Sequence, residues 1–196
     1  MLFGSWIALA NQLPNNIYAI VAAGVLSAVL VPQIVRAGLH ADGGQGFVNR
    51  LVTLGVVLFV VATVIATLCA PLLVDLYTLD GAAADSALGG GRALAIAFAY
   101  WCLPQIFFYA VYSLLGEVLN ARGVFGPFTW APVLNNVVVI VALLVFAWLF
   151  GVDPAHQDPA SWTPPQILLV AGGATLGIAA QALVLATVVA LVSDAV

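Results

Sequence analysis

Charged residues are scarce in this chain of 196 residues, and lysine is absent altogether. Only 6% of the residues are charged and 64% are hydrophobic, whereas about a quarter of a soluble domain is charged. So few charges cannot cover a water-facing surface, and most of the exterior must therefore face lipid. This excludes a soluble enzyme, a nucleic-acid-binding protein and a disordered segment. It also excludes an outer-membrane β-barrel, whose strands alternate apolar and polar residues.

Reactive side chains are equally rare. Cys69 and Cys102 lie in apolar runs, where a thiol is ordinarily inert packing, and no CxxC pair or His/Cys cluster occurs. The two histidines, His40 and His156, fall in separate polar links, and no Asp or His lies near the centre of an apolar run. A Ser/His/Asp arrangement or a catalytic carboxylate pair therefore cannot assemble. The sequence predicts no enzyme, no metal site and no cofactor.

Five apolar stretches are long enough to cross a bilayer, which takes roughly 20 residues of helix. Backbone groups at membrane depth must be satisfied within their own segment, so each stretch is predicted to be a helix. The links between them hold most of the glycine, proline and charged residues. We predict an all-α polytopic bundle that forms a single transmembrane domain over residues 1–196. The predicted helices cover about 6–35, 48–76, 92–119, 128–150 and 166–192.

The arginines predict the orientation of this bundle. Arg36 and Arg50 flank the link between the first two helices, and Arg122 lies in the link between the third and fourth, whereas the opposite side has only Arg92. The positive-inside rule therefore places these two links in the cytoplasm. The first helix then has nothing upstream to carry the N-terminus across the membrane. We expect a part of a longer polytopic protein; the alternative is a complete five-helix protein with an external N-terminus.

The first predicted helix carries the densest set of polar residues. Asn11, Asn15 and Tyr18 share one face because they are spaced i, i+4 and i+7, and Pro14 predicts a kink between them. This face suits the wall of a hydrated cavity. Two other interpretations stay open: the amides hydrogen-bond neighbouring helices, or Pro14 begins the helix and the asparagines lie at the surface.

Single residues in the other spans carry further expectations. Gly24 belongs to a strip of small residues that lets another helix pack closely. Pro104 predicts a second kink. Glu117, the only acidic residue plausibly within a span, either pairs with Arg122 at the interface or faces a polar pathway. Asn135 is expected to meet polar atoms of the first or third helix.

Two spaced motifs go beyond composition. The first is Leu13-Pro14-Asn15, followed by Ala23-Gly24, Ser27 and Val31-Pro32. The second is Leu119-Asn120-Ala121-Arg122, followed by Phe125, Pro127, Ala131-Pro132 and Asn135-Asn136. Together they resemble the MurJ (MviN) family of lipid II flippases, within the multidrug/oligosaccharidyl-lipid/polysaccharide exporter superfamily. The amino-acid sequence of these two segments is most similar to the actinobacterial branch of the family.

The resemblance implies that the five helices are the second to sixth of a fourteen-helix transporter. The chain would then be a fragment of the N-terminal lobe, without the first helix and everything after about the sixth. The family turns lipid II, the peptidoglycan precursor, from the inner to the outer leaflet by alternating access. This implies a multi-pass protein of the bacterial inner (plasma) membrane that serves cell wall biogenesis and cell shape. The implied partners are lipid II, membrane lipids and other cell-wall synthesis proteins.

The resemblance also implies roles for particular residues. We expect Asn11, Asn15, Tyr18 and Asn135 to line the substrate cavity. We expect structural or gating roles for Pro14, Gly24, Pro104, Glu117 and Asn120. Many family members have adjacent arginines soon after the first motif, where this chain has Tyr18 and Ala19. The cationic site for the substrate headgroup therefore cannot be assigned to any residue of this chain.

Two other functions stay open. The chain could belong to a flippase for another lipid-linked oligosaccharide, such as an O-antigen or teichoic-acid precursor. It could also be a small structural membrane subunit that transports nothing.

Overall fold

A computed structural model describes residues 31–37, 39, 44–79 and 84–194, and every regular element within these ranges is helical. In chain order the helices are α1 (Val31–Ala37), α2 (Gln45–Leu68), α3 (Ala70–Leu79), α4 (Ala84–Cys102), α5 (Gln105–Ala121), α6 (Gly126–Phe150) and α7 (164–194). Helix α7 has three consecutive parts: Pro164–Ile167, a π-helical turn at Leu168–Gly172, and Gly173–Asp194. Two 3-10 turns, Pro154–Gln157 and Pro159–Ser161, lie in the link between α6 and α7.

Four stretches of the described residues are long and apolar enough to cross a membrane: Gln45–Leu68, Gly91–Ala121, Gly126–Phe150 and Pro164–Val192. This confirms the predicted all-α polytopic membrane bundle. The predicted helices 128–150 and 166–192 correspond to α6 and α7, which begin two residues earlier than predicted. The first predicted helix, about 6–35, lies outside the described residues except at its end in α1.

Prolines divide the second and third predicted spans in two. The stretch predicted as 48–76 is interrupted at Cys69, where Pro71 has no N–H for the carbonyl of Thr67. The stretch predicted as 92–119 is interrupted at Leu103 and Pro104 for the same reason. The sequence predicted the kink at Pro104. It did not predict the interruption at Cys69, because the apolar run continues through it.

Helix α5 lies at the centre of the described bundle and packs against α1, α2 and α7, and α7 also packs along α6. Small residues stand at several of these contacts, where they let helix backbones approach closely. Ala110 packs with Phe59 of α2, and Ala131 packs with Leu119 and Leu185 between α5, α6 and α7. Helices α3 and α4 pair through a separate apolar cluster. The bundle is therefore held mainly by close packing.

Candidate functional site

Three glutamines are the polar residues that the described bundle buries: Gln105, Gln166 and Gln181. A polar side chain within a span costs free energy unless it is paired, so such residues mark places with a specific role. Gln105 begins α5, and the other two lie on α7. Gln105 and, on α6, Asn135 lie at contacts with α7, whereas Gln166 bonds within the link before α7.

Gln105 takes part in a hydrogen-bond network at the helix interruption. Its Nε2 donates to Thr175 Oγ1 of α7 at 2.9 Å. Thr175 Oγ1 lies 2.7 Å from the Trp101 carbonyl oxygen of α4 and 3.0 Å from that of Ala171 in its own helix, and its single proton serves these acceptors. Helix α7 therefore joins both sides of the Pro104 interruption through one hydroxyl group.

Asn135 lies in the contact between α6 and α7. A Cβ atom added at Gly177 would collide with Asn135 Oδ1 and would lie 2.9 Å from the Asn135 backbone oxygen. The side-chain oxygens of Asn135 and Gln181 are buried, and neither has a hydrogen-bond partner within the part of the chain that the structure describes. The lining of a substrate cavity by Asn135 stays a prediction.

The last turn of α5 contains Glu117 and Asn120. Asn120 Nδ2 donates to Glu117 Oε2 at 3.4 Å, and the Asn120 side chain is otherwise exposed. The helix ends in a Schellman motif: Val124 N–H bonds to the Leu119 carbonyl at 2.9 Å and Gly123 N–H to the Asn120 carbonyl at 3.0 Å. Gly123 has a φ of 74°, which favours glycine. Gating by Glu117, Asn120 and Pro104 stays a prediction.

The other predicted site residues cannot be placed. Asn11, Pro14, Asn15, Tyr18 and Gly24 all lie outside the described residues. Of the predicted site residues that the structure describes, Glu117 and Asn120 lie together in the last turn of α5, and Asn135 lies in the contact between α6 and α7. The polar face of the first helix stays a prediction.

Gln105, Thr175 and Gln181 were not among the residues predicted from the sequence. The rule that drew attention to the amides of the first helix applies equally to Gln105 and Gln181, because both lie in apolar runs. No comparable signal exists for Thr175, since threonine is common in membrane helices. Its importance depends on its distance from Trp101 and Gln105, which only the structure gives.

The link between α6 and α7 folds into a compact cap. Trp162 stacks on Phe146 of α6, with ring centroids 5.7 Å apart, and meets Phe98 of α4 edge-on at 5.4 Å. Its Nε1 donates to the carbonyl oxygen of His156 at 3.0 Å. Gln166 Oε1 accepts from the Thr163 N–H at 2.7 Å and from Thr163 Oγ1 at 2.8 Å. The cap therefore ties α4, α6 and α7 together at one end of the bundle.

Replacement of Gln166 by leucine is expected to loosen this cap. It leaves the Thr163 N–H and His156 Nε2, which lies 3.0 Å from Gln166 Nε2, without their observed partner. Because Thr163 is exposed and His156 is only partly buried, we expect a loss of about 1 kcal/mol in the free energy of unfolding, the usual net contribution of a hydrogen bond. Hydrogen exchange at the Thr163 amide should accelerate in Gln166→Leu. Unchanged exchange there would show that the glutamine does not hold the cap.

An ion pair joins α3 to α4. Arg92 Nε lies 2.7 Å from Asp75 Oδ1, and Arg92 Nη2 lies 2.8 Å from Asp75 Oδ2, so the guanidinium binds the carboxylate with two parallel hydrogen bonds. Both side chains are partly exposed. The hydrogen bonds from Arg92, with its positive charge, lower the pKa of Asp75 below its ordinary value.

The lowered pKa of Asp75 predicts the sign of a pH effect. The pair should contribute fully above the unfolded-state pKa of the carboxyl and be lost as the pH falls through the lower folded-state value. Because the pair is exposed, its contribution should be small and should weaken with salt. Carboxyl NMR of Asp75 in wild type and Arg92→Gln tests this. A pKa that does not rise in Arg92→Gln would contradict the account.

The buried polar groups of the described bundle are uncharged amides and hydroxyls, and the described residues contain no group of three His, Cys, Asp or Glu side chains that could hold a metal. The helices and the four apolar stretches among the described residues define the class of an all-α polytopic membrane protein. The family model "Lipid II flippase MurJ" matches residues 2–192 of the 196-residue chain. The chain belongs to the lipid II flippase MurJ family, which confirms the resemblance seen in its motifs. No solved structure matches the chain.

Proposed function

We propose that this chain acts in the transport of lipid II from the inner to the outer leaflet by alternating access, as part of a longer protein. The observation that carries the proposal is the family match over residues 2–192. It agrees with the described stretches that are apolar enough to cross a membrane. In this proposal the chain forms part of the N-terminal lobe, and other cell-wall synthesis proteins act beside it.

The described helices would form a closely packed bundle that moves as one body during transport. Alternating access moves one bundle against another as a largely rigid body, which requires firm contacts within each bundle. The contact of α6 with α7 and the bonds of Thr175 across the Pro104 interruption supply such contacts. Asn11, Asn15, Tyr18 and Asn135 are proposed to line the path of the substrate.

Complementation tests this function. The full-length gene that contains this chain is expressed in a strain whose own lipid II flippase can be depleted, and in a second strain that lacks an O-antigen flippase. The proposal predicts growth and normal cell shape in the first strain and no rescue in the second. Rescue of the second strain alone would favour another lipid-linked oligosaccharide. Failure in both, with the protein present in the membrane, would contradict transport.

The proposed location is the bacterial inner membrane, with the links at 38–44 and 122–125 on the cytoplasmic side. Leu39 and Val152 are 87% and 91% exposed and lie in links proposed to be on opposite sides, so they suit labelling. After Cys69→Ser and Cys102→Ala, a membrane-impermeant thiol reagent should label Val152→Cys in intact cells with a permeable outer envelope. It should label Leu39→Cys only after the inner membrane is opened. The reverse pattern would overturn the orientation.

A further inference from the structure

An apolar groove of about 690 Å³ lies between α6 and α7. This volume falls within the range of small-molecule pockets, about 300–1,000 Å³. Its rim consists of large aliphatic side chains that are half-exposed, among them Val141, Leu149 and Leu176, and Trp101 of α4 stands at one side. Both helices are apolar enough to cross a membrane, so the groove opens onto the hydrocarbon core of the bilayer.

The groove is closely walled at the π-helical turn of α7, where two glycines admit neighbouring side chains. Gly172 and Gly173 both line it. A Cβ atom at Gly173 would lie 2.5 Å from the Cβ of Ala142, and one at Gly172 would lie 3.7 Å from Cε3 of Trp101. Single π turns inside α-helices occur often at functional sites. Here the two glycines let Ala142 of α6 and Trp101 of α4 pack directly against α7 in the wall of the groove.

The groove is long enough to span the hydrocarbon depth of one leaflet. Its lining runs along α6 from Val137 to Phe150, which is about 20 Å at 1.5 Å per residue. One leaflet contributes half of a hydrocarbon core of about 30 Å. The groove therefore begins at the cap, where α6 ends and α7 begins, and extends beyond the depth of one leaflet.

The charged residues near the cap indicate which lipid headgroup fits at this end of the groove. No lysine or arginine follows Arg122 in the sequence, and Arg92 of α4 is paired with Asp75. The link between α6 and α7 contains Asp153 and Asp158, both exposed. This end of the groove therefore has two carboxylates and no arginine or lysine in its link, which disfavours an anionic headgroup and suits an ammonium group.

We propose that the groove between α6 and α7 binds one acyl chain of a phosphatidylethanolamine molecule, with the ethanolamine group beside the 151–163 link. A chain in the groove contacts side chains of both α6 and α7, whereas a chain on a smooth helix surface contacts one helix. The additional dispersion contacts hold it longer than bulk lipid.

Native mass spectrometry of the full chain in detergent tests the proposal. The delipidated protein is titrated with phosphatidylethanolamine and, separately, with phosphatidylglycerol of the same acyl chains. Val141→Phe fills the groove. Val133→Phe makes the same change on the same helix at an exposed residue outside the groove lining. Circular dichroism reports whether each variant is folded, and Leu176→Phe replaces Val141→Phe if that variant is not.

We expect wild type and Val133→Phe to retain one phosphatidylethanolamine and Val141→Phe to lose more than half of this occupancy. Equal retention by Val141→Phe and wild type would overturn the site. Equal retention of phosphatidylglycerol would overturn the headgroup preference. Displacement of the bound lipid by an equal concentration of a polyprenyl phosphate would overturn the assignment to an acyl chain. None of these outcomes depends on whether the protein transports lipid II.

Discussion

Replacement of Gly177 by leucine should lower the free energy of unfolding by about 3 kcal/mol, at the upper end of the usual cost of overpacking. The new Cβ would meet the Asn135 side-chain oxygen, which can rotate away, and the Asn135 backbone oxygen at 2.9 Å, which cannot. Val139 Cγ2, at 3.3 Å, closes the remaining side. Helices α6 and α7 must therefore move apart along the contact that joins them.

Alanine at the same position gives a graded test. It introduces the collision but gains about 1 kcal/mol in helix propensity over glycine, so Gly177→Ala should be destabilised less than Gly177→Leu. Gly126→Ala is the control, because a Cβ there meets nothing within 4 Å. Unfolding by sodium dodecyl sulfate in mixed micelles measures all three. Wild-type stability in Gly177→Leu would show that α6 and α7 are not packed as described.

Replacement of Thr175 by valine should lower the free energy of unfolding by about 1–2 kcal/mol, the upper part of the range for hydrogen bonds between membrane helices. Valine has nearly the shape of threonine, so packing is preserved. The Trp101 carbonyl loses its donor from α7, and Gln105 Nε2 loses its acceptor at 2.9 Å. Gln105 is fully buried and its Oε1 already lacks a partner within the described part of the chain, so its whole amide would then be unsatisfied.

Two matched variants separate the contribution of the Thr175 hydroxyl from that of the Gln105 amide. Thr175→Ser keeps the hydroxyl and removes one methyl group, so it should cost at most about 0.8 kcal/mol. Gln105→Leu removes the whole side-chain amide and leaves the bond from Thr175 to Trp101, so it should be destabilised less than Thr175→Val. Unfolding in mixed micelles measures this order as well. If Gln105→Leu proved the more harmful variant, the amide and not the hydroxyl would be the principal support of the interruption.

The all-α membrane class could be predicted because the scarcity of charged residues and the length of the apolar stretches are read directly from the sequence. Helix α6 was predictable because its stretch is predominantly apolar and Gly151 follows its last residue. The pairing of helices could not be predicted in the same way. The apolar residues of α6 and α7 surround each helix on all sides, so no single face marks the contact with a neighbour.

The candidate site was predictable only in part, for related reasons. Pro104 could be assigned a kink because proline acts on its own helix. The partner that compensates for it, Thr175, lies 71 residues away and is an ordinary threonine in the sequence. Gly177 is likewise one of 18 glycines, and its proximity to Asn135 appears only when two helices are placed side by side.

The leaflet distribution of lipid II tests the central proposal most directly. Cells depleted of their own flippase and expressing the full-length gene are treated with a membrane-impermeant reagent that modifies the lipid II headgroup. We expect the modified fraction to return to the level of undepleted cells, and to remain low with an empty vector. Lipid II that stays protected, although the protein is present in the inner membrane, would contradict the proposal that this chain is part of a lipid II transporter.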